Sequence, residues 1–296
     1  MKCLLVINPF SLSPSLRHKV KRIEEELIVR GIQPVILDTI QLRPIIKDSA
    51  VSLSGIQDCA FCIYLDKDKY LARLLENFMP VYNSAKSTAL CDDKTTTFLA
   101  LLGTGIRTPK TIPAPLCYSE SDQTKVDEFL SNVEHELGFP LVAKHAFGSL
   151  GKQVFLIRNR DELSETYTRL QRVTHLYQEY IGNDTSRSSD YRAITVGGKA
   201  LTAMRRINEN DFRSNISCGG RGEITEDIPE TFIQVAELAS RHLELDIAGV
   251  DMIPDQQGNP VLLEVNSNPF LQEVERVTGI NIASAFVEHC IKKSAI

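Results

Sequence analysis

The sequence predicts an α/β protein: an open, mainly parallel sheet of the doubly wound kind at the N-terminus, followed by α+β layers built from hairpins. Three observations carry this. Over residues 1 to 82, short apolar runs alternate with charged helical stretches, the β-α-β rhythm of a parallel sheet. Beyond residue 110, apolar runs meet across short glycine-bearing turns, which is the antiparallel pattern. The length of 296 residues, with 43% hydrophobic and 24% charged, is that of an ordinary globular chain with room for two or three cores.

In order, residues 2–8 read as a buried strand, and Asn8-Pro9-Phe10 leads to a charged helix at about 15–30 ended by Gly31. Residues 34–38, 59–65 and 79–82 supply further strands, with 66–77 helical between the last two. No G-x-G-x-x-G follows the first strand, so nothing marks a dinucleotide site there. Asn8 nevertheless stands at that strand's carboxyl end, the edge at which open α/β sheets bind ligands. Residues 84–97 lead into a helix that Gly103-Thr-Gly-Ile-Arg-Thr-Pro109 breaks, marking the first domain boundary. An amphipathic helix at 122–137 comes next. Strands at 140–145 and 153–157 then flank Phe147-Gly148-Ser149-Leu150-Gly151-Lys152, a loop whose glycines let backbone approach a ligand closely. A helix at 161–171 and a strand at 176–181 precede a polar segment, 182–189, without packing signal. Residues 191–196 and 199–206 form a hairpin over Gly197-Gly198. A helix at 229–243, a second hairpin and a terminal helix at 282–293 complete the chain.

Several function classes are disfavoured. A formal net charge of -5 without a basic block gives no electrostatic case for nucleic-acid binding. No apolar run is long enough for a signal peptide or a membrane span, so a cytoplasmic protein is expected. Seven scattered cysteines suit a reducing compartment. Cys59-Ala-Phe-Cys62 has C-x-x-C spacing, but a strand there points its thiols to opposite faces, which disfavours a redox or metal pair.

The chemistry concentrates in the second hairpin, Ile247-Ala-Gly-Val-Asp251 to Leu263-Glu264-Val-Asn266, across Gln256-Gln257-Gly258-Asn259. A turn centred between Gln257 and Gly258 sets Asp251 opposite Glu264, and a period of two puts Asn266 on the face of Glu264. Val250, Met252, Leu263 and Val265 then make the other face apolar. Opposed carboxylates in a half-buried sheet repel unless a cation lies between them, and such hard oxygen donors suit magnesium holding substrate phosphates. A solvent-facing strand pair is the plain alternative. Arg192, Arg205, Arg206, Arg213 and Arg221 gather in the same region, as a metal-bound polyphosphate requires, although each is also compatible with a solvated surface position.

Taken together, Asp93-Lys94, Lys144 before the glycine loop, Gln178-Glu-Tyr-Ile181, Asp190-Tyr-Arg192, Asp211-Phe-Arg-Ser-Asn215, Gly219-Gly220, Ala248-Gly-Val-Asp251 and Glu264-Val-Asn266 resemble, in that order, the ATP-grasp ligases, most closely the RimK-like branch. The resemblance implies a Rossmann-like pre-ATP-grasp domain over 1–88, a central subdomain over 89–181 and a C-terminal subdomain over 182–296. It makes Lys94 and Lys144 nucleotide-phosphate ligands, Gly148, Ser149 and Gly151 the loop over the phosphates, and Glu179, Tyr180 and Ile181 the adenine segment, with Asp190 near the ribose. Asp251, Glu264 and Asn266 would hold magnesium, with manganese as the substitute ion. Arg213 and Asn215 would face the reacting carboxylate, with Arg206 as a third catalytic candidate.

The implied activity is ATP-dependent joining of an amine to a carboxylate through an acyl phosphate. The partners are ATP, an amino acid and a carboxylate acceptor on a peptide, a protein tail or a small molecule, with a homo-oligomer compatible. L-Glutamate is the expected amino acid, since arginines beyond those needed by the acyl phosphate remain to bind acidic groups. A dipeptide or D-alanine type of ligase and a non-catalytic ATP-binding regulator are the alternatives. Asn268-Pro269-Phe270 stands where the family has Ser-Pro-Gly, and Gln153 where a further glycine is common. The first departure predicts a reshaped acceptor site and the second a stiffer loop.

Overall fold

The computed structural model describes residues 1–119, 122–182, 184–225 and 228–295. The chain starts with β1 (Lys2–Ile7), α1 (Pro14–Val29), β2 (Gln33–Asp38), β3 (Ile45–Lys47), β4 (Ala50–Ser52), β5 (Cys59–Tyr64), α2 (Lys69–Leu75) and β6 (Val81–Tyr82). Four of these strands form a parallel sheet in the order β2-β1-β5-β6. Alternation along β1 and β5 sends Cys3, Leu5, Phe61 and Ile63 onto Leu16, Ile23 and Leu27 of α1. Leu4, Val6, Cys62 and Tyr64 meet Leu71, Ala72 and Leu75 of α2 on the opposite face. One helix on each face is the doubly wound arrangement. The small β3–β4 hairpin carries no sequence signal because its residues are mostly exposed.

Two local expectations change. The pairing of β1 with β5 shifts between Lys2 and Cys3, so that Ala60 is passed over and Cys59 packs against the same apolar cluster as Cys62, not the opposite face. Burial raises both thiols, Cys62 well above its ordinary value. The helix after β5 also starts later than residue 66, because Asp68 caps it by accepting from the amides of Tyr70 and Leu71.

Next come α3 (Ala85–Asp92), α4 (Lys94–Ala100), β7 (Thr111–Pro113), α5 (Gln123–Leu137), β8 (Leu141–His145), β9 (Val154–Ile157), α6 (Arg160–Leu170) and β10 (His175–Glu179). The single helix expected near 84–97 is two. Asp93 is extended and caps α4 through the amides of Thr95 and Thr96, which sets Lys94 at a helix start. Strands β7, β10, β8 and β9 make an antiparallel sheet in that order. Val126, Leu130, Leu163 and Leu170 of the two helices cover one face through Leu141, Ala143, Ile157 and Tyr177. The neighbours Val142, Lys144 and Gln178 face the other way, into a cleft.

The last part holds β11 (Ser188–Val196), β12 (Lys199–Asn208), β13 (Arg221–Glu223), α7 (Glu230–His242), β14 (Ile247–Pro254), β15 (Pro260–Asn266), α8 (Gln272–Thr278) and α9 (Ile282–Ser294). Its antiparallel sheet runs β13-β12-β11-β14-β15. Strand β11 begins three residues earlier than expected, pairing Ser188 with Asn208, so Asp190 lies within the sheet. Asn183 of the polar segment lies outside the described residues. Ile282, Phe286, Val287 and Cys290 of α9 return to the α1 side of the first sheet. At the same seam the buried Asn83 side chain donates to the carbonyls of Ile247 and Ser267 and accepts from the amides of Asp246 and Ile247. This fastens the first sheet to the start of β14 and the residue after β15.

Candidate active site

The β14–β15 hairpin pairs Asp251 with Glu264 and Gly249 with Asn266. The route to that register differs from the expected one. Pro254 pairs with Pro260, which centres the turn on Gln257, and a bulge between Asp251 and Met252 then adds one residue on β15. Leu262 therefore takes the buried core position, while Leu263 leaves the apolar face on which it was expected and lines the cleft.

The opposed carboxylates are neutralised by the protein's own cations. Arg192 donates to both oxygens of Asp251, at 2.7 and 2.7 Å, and Arg206 reaches Asp251 at 3.1 Å. Burial alone would raise the Asp251 carboxyl, but the two guanidinium groups hold it below its usual range. Arg206 is itself 2% exposed and makes a two-pronged pair with Asp190. Asp190 thus has its carboxylate committed to Arg206 within the cleft lining, an arrangement that competes with the ribose contact expected of it. Lys94 Nζ lies 3.3 Å from Glu264 Oε1 and donates to the Gly148 carbonyl at 2.8 Å. The Asn266 side-chain nitrogen is buried with no partner among the described residues.

Lys144 extends from β8 into the cleft, with no hydrogen bond or ion pair of its own among the described residues. Burial and the nearby Lys94 lower its ammonium to about 8, against the pull of Glu264 and Asp251. Two adjacent lysines, one unpaired, form a ready anion site. The glycine loop closes over it. Leu150 accepts from Ser217 Oγ at 2.7 Å, and the Gly151 carbonyl accepts from Arg213 at 3.0 Å. A Cβ at position 151 would lie 2.7 Å from Asn215 Oδ1, and Gly151 has φ +69°, so this contact needs glycine. Gln153 lies against Gly148, where a Cβ would come 3.2 Å from its Oε1.

At the far end the cleft is walled by Gln178, Glu179, Tyr180 and Ile181. Gln178 was not singled out as a site residue, yet it is 1% exposed, its Nε2 donates to Thr111 Oγ1 at 2.8 Å and its Oε1 has no partner among the described residues. A polar residue in the buried run Leu176-Tyr177-Gln178 was the available signal. The cleft has a cavity volume of about 120 Å³. It brings together Lys94, Lys144, Gly148, Ser149, Gly151, Glu179, Tyr180, Ile181, Asp190, Arg206, Arg213, Asn215, Asp251 and Glu264. Asn266 is not part of this lining and lies two pairs along from Asp251 and Glu264.

The arginines are less free than their number implied. Besides Arg192 and Arg206, Arg213 pairs with Asp211 at 2.7 Å, Arg205 donates to Ser189 Oγ, and the exposed Arg221 meets Glu223 at 3.0 Å. Of the arginines expected to remain for substrate carboxylates, Arg205 alone has no carboxylate partner among the described residues in this arrangement. Asn268 accepts from the buried Lys19 of α1, and Phe270 packs with the core at the first sheet. The segment that departs from the family pattern ties two parts of the fold together.

The RimK-like ATP-grasp domain matches residues 91–290. A probable alpha-L-glutamate ligase of Syntrophotalea carbinolica is 30% identical over 95% of this chain and 93% of its own length. The ribosomal protein bS6--L-glutamate ligase of Escherichia coli O81 is 31% identical over 71% of this chain and 70% of its own. Among solved structures, a RimK domain ATP-grasp protein of Sphaerobacter thermophilus superposes with a TM-score of 0.71 at 19% identity, covering 98% of this chain and 100% of that one. The D-alanine--D-alanine ligase of Bacillus anthracis gives 0.73 at 19%, over 99% and 97%. With the matching domain spanning most of its length and relatives aligned along nearly all of it, the chain belongs to the RimK-like ATP-grasp family of ATP-dependent carboxylate–amine ligases.

Proposed function

We propose that this cleft joins L-glutamate to a carboxylate of a peptide or protein acceptor. The observation that carries the reading is the meeting of Lys94, Lys144 and the closed glycine loop with the Asp251–Glu264 hairpin in one cleft. Glutamate itself is carried over from the relatives named as glutamate ligases, since the paired arginines do not speak for it.

In this reading the segment 178–181 holds adenine, and Lys94 and Lys144 hold phosphate oxygens. A hard divalent ion, magnesium or in its place manganese, would be held by Glu264, whose second oxygen faces no cation at bonding distance among the described residues, and by Asn266, whose amide nitrogen is held by no partner among them and so leaves the amide free to turn its oxygen to the ion. Asp251 would share it with Arg192 and Arg206. Such an ion would offset the charge of the phosphates.

Arg213 stands where the loop meets the 211–218 segment, and would steady the acceptor carboxylate and the charge that builds on phosphoryl transfer. The closed loop keeps water from the acyl phosphate, so that an amine is the nucleophile that arrives. The test offers each of the twenty amino acids with ATP, magnesium and a pool of acidic peptides, following ADP release and product mass. Glutamate addition is expected. ADP release with a neutral or basic amino acid alone would overturn the glutamate assignment, and no amide product with any would overturn ligation.

A further inference from the structure

An amine arrives at such a site as an ammonium ion, and must lose a proton before it can attack. The carboxylates in and next to the cleft are already committed: Asp251 to Arg192 and Arg206, Asp190 to Arg206, Asp211 to Arg213, Glu264 to Lys94, and Glu179, at the adenine end, to the Lys110 amide. Asp93 caps α4, and Asp92 faces Lys67 at 3.7 Å. Asp68 likewise caps α2. Asp66, two residues before it, is held by neither a cation nor a helix end among the described residues.

Asp66 follows β5 and lies beside Asn8, which follows β1, so both stand at the carboxyl edge of the parallel sheet where ligands of open α/β folds bind. Asn8 is fixed at both ends. Its Oδ1 accepts from the amide of Phe10 at 2.9 Å, and its Nδ2 donates to Asp66 Oδ2 at 3.2 Å. The carboxylate is thereby oriented by a neutral group. The neighbouring residues touch segments that lead into the cleft lining: Lys67 pairs with Asp92, two residues before Lys94, and Lys69 Nζ stands 5.7 Å from the centre of the Phe147 ring, one residue before Gly148. Asp66 is half-buried.

We infer that Asp66 is the catalytic residue that binds the ammonium of the incoming amino acid and takes one of its protons. This rests on the ligase reading above. The carboxylate accepts one proton from the ammonium, leaving a neutral amine. The amine's lone pair forms the C–N bond at the acyl phosphate, the C–O bond to phosphate breaks, and phosphate departs with that electron pair and the second amine proton. Asp66 then returns its proton to solvent. Its surroundings suit the exchange: burial, with Asp68 adding to it, raises its carboxyl above the ordinary range, and the amides of Lys67 and Asp68 and the Asn8 side chain oppose that rise. Tyr64 also lies in its field and is itself raised by burial.

The experiment compares Asp66→Asn and Asn8→Asp with the wild type in two assays, with glutamate and acceptor, and with hydroxylamine and acceptor. Hydroxylamine is a neutral nucleophile near pH 7 and traps the acyl phosphate without a base. Asp66→Asn should lower kcat/KM for the amino acid by about 100-fold, while hydroxamate formation stays within about twofold. Asn8→Asp sets a second carboxylate against Asp66 and should move the rising limb of the pH profile for the amino acid upward, with hydroxamate formation unmoved. Full amide formation by Asp66→Asn, or an unshifted limb in Asn8→Asp, would overturn the role of Asp66. A wild type that yields no hydroxamate would instead overturn the ligase reading itself.

Discussion

Asp251 and Glu264 lie directly opposite each other in the β14–β15 hairpin, yet each carboxylate faces a cation of the protein, Arg192 on one side and Lys94 on the other. The two acids therefore answer differently to loss of charge. Glu264→Gln removes one side of a contact that is partly open to the cleft, and should retain the melting temperature to within a few degrees while kcat falls at least about 100-fold. Asp251→Asn leaves Arg192 and the buried Arg206 short of their counter-charge, which costs on the order of 3 kcal/mol of stability. Thermal denaturation beside steady-state ADP release separates the two, and equal destabilisation by both variants would contradict it.

The register that makes this pair was legible, but only because two unseen shifts cancelled. A turn centred between Gln257 and Gly258 gives the pairing directly, whereas the chain turns one half-residue earlier and restores it with a bulge at Leu263. Alternation shows which residues share a face; a bulge leaves no mark in composition, which is why Leu263 and Cys59 were both assigned to the wrong side. The order of strands and helices was legible from periodicity, while the three-residue strands β3, β4, β7 and β13 are too short to carry any. The identities of the cleft residues were largely legible, but their partners were not. Which arginine closes on which acid depends on the packing of β11 against β12 and β14, and sequence spacing does not encode it.

Lys144 predicts a pH dependence. Its ammonium is lowered to about 8, so the charged form that phosphates need is depleted as pH rises through that value, and a bound phosphate must raise it again. ATP affinity should weaken above pH 8 by up to about tenfold per unit, with proton uptake on binding near pH 8. Lys144→Ala should abolish that slope and weaken binding far more than Lys152→Ala does, because Lys152 is exposed on the loop. Calorimetry in buffers of different ionisation enthalpy reads both, and a flat profile for the wild type would contradict it.

The loop contact at Gly151 is the most sensitive to shape. Alanine there meets Asn215 Oδ1 at 2.7 Å and Cys218 Sγ at 3.0 Å, at a φ that side chains disfavour. Gly151→Ala should lower kcat/KM for ATP by about tenfold and make the loop easier to cleave by protease. Gly103→Ala has a comparable φ of +80° and nothing within 4 Å, so it should affect stability alone. Equal kinetic losses in the two variants would show that closure does not depend on this contact.

The orientation of the Gln178 amide predicts the choice of base. Thr111 Oγ1 donates to the Pro109 carbonyl at 2.7 Å, so it can only accept from Gln178, which must therefore turn Nε2 toward it and Oε1 toward the cleft. A buried acceptor without a partner welcomes the amino group of adenine and opposes the carbonyl that guanine carries in its place. Gln178→Ala should weaken ATP by about tenfold while leaving GTP weak. Thr111→Val removes the acceptor that pins Nε2, so the amide can turn over and present a donor. The ratio of kcat/KM for ATP over GTP should then fall by about 10- to 100-fold, with less change in ATP binding than Gln178→Ala gives. A ratio in Thr111→Val equal to that of the wild type would show that the neighbouring backbone at 179–181, and not this side chain, selects the base.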